Sequence, residues 1–148
     1  MKHLLIILSL FLFILTNISC SSSDSDSGSS TTSTTSDNNS TYSDNGTTFT
    51  VTVSSSKYYI DGILTKSLTL KKGYTYFFDS TDSTTNSHPL FIGTISTGGS
   101  YTYEYTSGVT KSRTTTETLT FIVPSDSPST LYYNCGNHAA MGGTITIM

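Results

Sequence analysis

The sequence predicts an all-β domain, an antiparallel sandwich or barrel, over Thr47 to Met148. That region is rich in Thr, Tyr, Ile, Val and Phe, residues that suit a pleated, half-buried surface. Its apolar residues alternate over short runs separated by turn residues. No segment of it carries the helical 3.6-residue period, and no internal repeat is present.

The strands can be taken in order. "TTFTVTV" alternates and sets Phe49, Val51 and Val53 on one face. "SLTLKKGYTYFFD" reads as two strands joined at Lys72-Gly73, with Leu68 and Leu70 on the first. "HPLFIG" follows. The Gly/Ser/Thr/Tyr-rich stretch from Thr94 to Thr116 gives no clear strand positions. "ETLTFIVP" alternates Leu119, Phe121 and Val123, and "STLYYNC" alternates Leu131, Tyr133 and Cys135. "GTITIM" closes the domain with Ile145 and Ile147. Tyr58, Tyr74, Tyr76, Phe77 and Phe78 read as core and surface packing rather than as an aromatic binding platform.

The 148-residue chain has two further parts. Residues 1–19 read as an export signal, with Lys2 in the positive region, an apolar stretch from Leu4 to Leu15 and small Ser19 before Cys20. The apolar stretch is shorter than the roughly 20 residues a membrane helix needs. The ending "LTNISC" resembles a bacterial lipoprotein signal, which implies that Cys20 is the lipidated first residue of the mature protein. It departs from the usual box in having Asn17 where an aliphatic residue is common. Residues 20–46 carry Ser, Thr, Asp and Asn almost throughout, with one aromatic, Tyr42. Such a segment cannot bury enough apolar surface to offset its chain entropy, so a disordered tether is expected. Asn38, Asn39 and Asn45 open N-x-Ser/Thr sequons, which matter only where the source glycosylates them.

Acidic and basic residues balance in the domain: Asp61, Asp79, Asp82, Glu104, Glu117 and Asp126 against Lys57, Lys66, Lys71, Lys72, Lys111 and Arg113. No basic patch points to nucleic acid. A monomer is expected.

Chemistry concentrates in "LYYNCGNHAAMGG", Leu131 to Gly143, where Cys135, His138 and Met141 stand three apart. Parity places Cys135 on the face of Leu131 and Tyr133, and His88 on the face of Leu90 and Ile92. Both side chains therefore start from the inward side, at a strand end. Without the signal, the chain holds two histidines, His88 and His138, and one cysteine besides Cys20. A thiolate, two imidazoles and a weak thioether make the donor set of a mononuclear blue-copper site. Zinc accepts Cys and two His, but structural zinc sites usually have a fourth strong ligand, and the loop has no carboxylate. Taken singly, each residue has an ordinary explanation: Cys135 as a buried thiol, His88 as a histidine at a strand end. A Cys20–Cys135 disulfide would consume both anchor and ligand.

"YYIDG", "LTLKKGYTYFFD", "NSHPLFIG" and "LYYNCGNHAAMGG", in that order, resemble a cupredoxin, the plastocyanin-like family, over nearly all of Tyr58 to Met148. The resemblance implies a Greek-key sandwich and one copper cycling between Cu(I) and Cu(II). It implies His88, Cys135 and His138 as ligands, Met141 as a weak axial contact, and His138 nearest the surface. Two departures stand out. Plastocyanin-like loops usually place methionine where this chain has Gly143. The shorter spacing resembles a dinuclear copper centre, but that needs two cysteines in the loop, and only Cys135 is there. Pro89 also follows the first histidine, where the family often has Asn donating a backbone N–H to sulfur.

The expected function is single-electron transport between protein redox partners by an exported, lipid-anchored copper protein on the periplasmic or cell-surface side of a membrane. The alternatives are a copper-binding or copper-delivery module and a metal-free structural surface domain. A copper enzyme with a second metal centre would need more histidines than the chain has.

Overall fold

The computed structural model describes residues 43–148. The expected signal peptide, Cys20, the tether up to Tyr42, and Asn38 and Asn39 lie outside the described residues.

An all-β sandwich forms, as the alternation predicts. Its strands are β1 (Thr47–Ser54), β2 (Lys57–Ile60), β3 (Ile63–Leu64), β4 (Leu68–Leu70), β5 (Thr75–Asp79), β6 (Leu90–Gly93), β7 (Val109–Thr110), β8 (Thr118–Ile122), β9 (Thr130–Cys135) and β10 (Gly143–Ile147). One sheet runs β3-β2-β1-β5-β8-β7 and the other β4-β10-β9-β6. A 3₁₀ turn, Ser83–Thr85, precedes His88, capped by the Asp82 carboxylate accepting from the Thr84 N–H. Among the described residues no helix is long and apolar enough to cross a membrane.

Both sheets are mixed rather than purely antiparallel. β1 pairs parallel with β5, and β4 parallel with β10. Alternation reports which face a side chain takes and carries no information about the direction of the neighbouring strand. β4 and β5, read as consecutive, lie in different sheets, so the chain crosses the sandwich at Lys72-Gly73. Gly73 has φ +79, a left-handed conformation that other residues adopt only at a cost.

The core follows the predicted faces. Phe49, Val51, Leu68, Leu70, Leu119, Phe121, Leu131, Tyr133 and Ile145 are buried in one cluster, and Val53 packs against its edge. Each fully buried side chain of this size contributes about 1.5–3 kcal/mol relative to exposure. The residues just before Thr47 are already tied to the domain. Ser43 N–H donates to the Thr69 carbonyl, and the Asn45 side chain accepts from the Thr75 N–H.

Candidate metal centre

β6 and β9 run antiparallel with Leu90 opposite Cys135 and Ile92 opposite Tyr133. This register brings the entry to β6 beside the exit of β9. His88 precedes β6, Cys135 ends β9, and His138 follows in the loop to β10. Cys135 is fully buried, His88 is half-buried and His138 is exposed.

The three side chains converge. Cys135 Sγ lies 3.8 Å from His88 Nδ1 and 3.5 Å from His138 Nδ1. The two Nδ1 atoms are 3.1 Å apart. At metal–nitrogen and metal–sulfur bonds of about 2.0–2.3 Å, donors around one ion stand roughly 3.3–3.8 Å from each other. Both sulfur–nitrogen distances fall in that range, and the nitrogen–nitrogen distance of 3.1 Å lies just below it. Facing lone pairs on two nitrogens and a sulfur repel unless a proton or a cation lies between them, so the arrangement suits a metal. His88 is held below the ordinary histidine pKa, first by burial and then by the charge of His138. This favours the neutral imidazole that a metal requires. The donor chemistry fits copper, since soft sulfur with two imidazoles suits that ion.

The loop that carries Cys135 and His138 is fastened on three sides. Gly136 N–H donates to the Pro89 carbonyl at 2.8 Å, and the Asn137 amide donates to the Ser87 carbonyl at 3.0 Å. Gly99 N–H donates to the Cys135 carbonyl, and Ala140 N–H to the Thr97 carbonyl. Lys57 Nζ donates to the Ala140 carbonyl from β2. Ala140 itself has φ +54, a left-handed turn that these bonds hold. His88 N–H donates to Thr85 at the end of the 3₁₀ turn.

Met141 is 1% exposed and belongs to the same buried cluster as Cys135. Cys135 is a free thiol. Two further neighbours of the site carry no sign of that role in the sequence. Tyr58, which reads there as packing, has a hydroxyl that donates to the His88 carbonyl at 2.6 Å. Tyr101, in the stretch without assigned strands, sets its ring against Phe91 and its hydroxyl against Gly136. The Tyr58–His88 and Tyr101–Gly136 contacts have no local sequence signal, because each joins residues thirty or more positions apart.

No protein-family model matches the chain, and no curated protein matches it. Solved structures do. Rusticyanin from Thiobacillus ferrooxidans aligns at TM-score 0.46 and 16% identity, over 72% of this chain and 80% of that one. A second rusticyanin structure aligns at TM-score 0.47 and 15% identity. The multicopper oxidase McoA of Aquifex aeolicus aligns at TM-score 0.39 and 18% identity, over 72% of this chain and 28% of that one.

Proposed function

We propose that this chain is a cupredoxin-like carrier of single electrons, holding one copper ion. The observation that supports it most is the convergence of His88 Nδ1, Cys135 Sγ and His138 Nδ1 within 3.1–3.8 Å. Copper held there supplies a reversible one-electron couple. The chain's part is to keep the three donors in place through the loop fastenings, so that little rearranges when charge changes. The Cys135 thiolate is the strong donor, buried from water. His138, exposed at the loop, offers a protein redox partner its way to the site, with Ala139 and Ala140 small enough to allow close approach. Met141, buried in the same cluster as Cys135, would supply a weak thioether contact to the ion. A carrier is preferred to an enzyme because both histidines after residue 20 are used in one site. The domain acts as a monomer exported and anchored through lipid on Cys20, a reading supported by the composition of the first twenty residues.

Cu(II) is expected to bind one per domain, with an intense visible charge-transfer band from the thiolate. Cys135→Ser is expected to abolish the band, since a hydroxyl is a poor soft ligand. A band that survives the substitution, or copper-loaded wild type without one, would falsify the reading. Membrane fractionation of wild type and Cys20→Ala tests the anchor. Wild-type protein that is soluble, with its N-terminus elsewhere than Cys20, rules it out.

A further inference from the structure

Gly136 follows the donor residue Cys135 and opens the turn that carries His138. It is buried, and its N–H donates to the Pro89 carbonyl at 2.8 Å. Its φ lies outside the left-handed region, so the backbone there would accept an ordinary L-residue. What excludes a side chain is Tyr101. A Cβ at position 136 would overlap the Tyr101 hydroxyl oxygen and the ring carbons next to it, Cζ and Cε1. So close an approach of a ring to a backbone is open only to glycine.

Tyr101 is itself held. The Arg113 guanidinium lies 4.2 Å over its ring, and Phe91 meets it edge-on at 5.1 Å. Arg113 is fixed in turn: its Nε donates to Glu104 at 3.0 Å, and its backbone N–H donates to the Leu90 carbonyl at 2.7 Å. Leu90 is the register partner of Cys135. A stack therefore starts on β6, passes through Arg113 and Tyr101, and ends on the residue after the cysteine. The hydrogen bonds of the loop hold its N–H and carbonyl groups, whereas the ring occupies the side-chain space of Gly136.

We propose that Tyr101 is a positioning residue of the metal centre: its ring fills the side-chain space of Gly136 and keeps the turn from Cys135 to His138 from opening. Glycine has the greatest backbone freedom of any residue, and here it links two donors. The ring takes that freedom away. The inference rests on the copper reading above. It adds that an aromatic side chain from the segment Thr94 to Thr116 sets how firmly the donors are held.

The first test needs no metal. In urea unfolding of the metal-free protein, Gly136→Ala is expected to lower the midpoint. In the Tyr101→Ala background, where the methyl has room, the same change is expected to be neutral or to raise the midpoint, because alanine restricts the unfolded chain. The second test follows loss of the charge-transfer band from copper-loaded protein in excess EDTA. Tyr101→Ala is expected to release copper about three-fold faster or more, the scale of one lost aromatic contact. Tyr101→Phe keeps the ring and is expected to match wild type. Tyr105→Ala is the control for stability alone. Tyr105 comes from the same segment, packs edge-on to Phe121 at 6.1 Å, and sets its hydroxyl 3.2 Å from that of Ser127. This variant should unfold more easily and release copper at the wild-type rate. If Tyr101→Ala does not fold, Tyr101→Leu, which keeps apolar bulk but not the flat ring, takes its place in both tests. Additive stability costs, release no faster than in Tyr105→Ala, or a Phe variant as fast as the variant without the ring overturns the inference while the copper reading stands. A wild type that takes up no copper overturns both.

Discussion

At the scale of residues, the site was legible where strand parity and chemistry agree. Cys135 and His88 share faces with core residues, and strand alternation alone sets them inward. His138 follows from being the remaining histidine in the same loop. Tyr58 could not be found this way, since nothing in "KYYI" says that its hydroxyl will meet a carbonyl thirty residues on. Met141 gives a prediction at this scale. Met141→Leu nearly conserves volume, so the metal-free protein should lose less than about 1.5 kcal/mol in urea unfolding. If the thioether contacts copper, the same substitution raises the reduction potential, because Leu donates nothing to the oxidised ion. A potential equal to wild type would remove Met141 from the ligand set.

At the scale of elements, the informative segment is Thr94 to Thr116. Its strands could not be assigned from sequence because most of it is held without a continuous ladder. Single bridges pair Leu90 with Thr114, Gly93 with Glu104 and Gly98 with Ala139. Side chains complete the attachment: Tyr101 packs edge-on to Phe91 at 5.1 Å, and the Arg113 guanidinium lies 4.2 Å over the Tyr101 ring. The segment covers the outer face of β6 and β9. Phe91 and Asn134, which parity sets outward, are therefore buried at 1%. The Asn134 amide donates to the Ile95 carbonyl beneath this cover. At Gly98, φ is +62, and a Cβ there would stand 3.0 Å from the carbonyls of Cys135 and His138. Gly98→Ala is expected to cost more than about 1 kcal/mol of stability. It should also weaken copper affinity, read by competition with a chelator, because the strain falls on the ligand loop. Lower stability with unchanged affinity would show that this segment does not hold the ligands.

At the scale of the whole molecule, one buried carboxylate links the cover to its own return. Glu104 has a side chain 7% exposed and accepts from Ser112 and from Arg113 Nε at 3.0 Å. Burial pushes its pKa up, but the Arg113 and Ser112 hydrogen bonds and the Arg113 charge outweigh it and hold the carboxyl below its ordinary value. The unfolded chain therefore binds this proton at higher pH than the folded one. The stabilisation is complete above the ordinary Glu value of about 4.3 and is lost as pH falls through the lower folded value. Glu104→Gln should be less stable than wild type by about 1 kcal/mol or more at neutral pH. The gap should narrow in urea titrations as pH falls through the lowered folded value of the carboxyl and close once the wild-type carboxylate is protonated as well. A gap of constant size across that range would mean that the ionised carboxylate contributes nothing.

The sequence by itself determined the all-β class, the inward faces of β1, β4, β8, β9 and β10, and three of the donors, because face and residue chemistry are local properties with a two-residue period. Only the tertiary structure decided the parallel pairings of β1 with β5 and β4 with β10, the folding of Thr94 to Thr116 over the outer face, and the reach of Tyr58 to His88 and of Lys57 to the loop after β9. Each of these depends on which strands become neighbours across the sandwich. That choice is made by the packing of the two sheets over one core, and a pattern along the chain does not encode it.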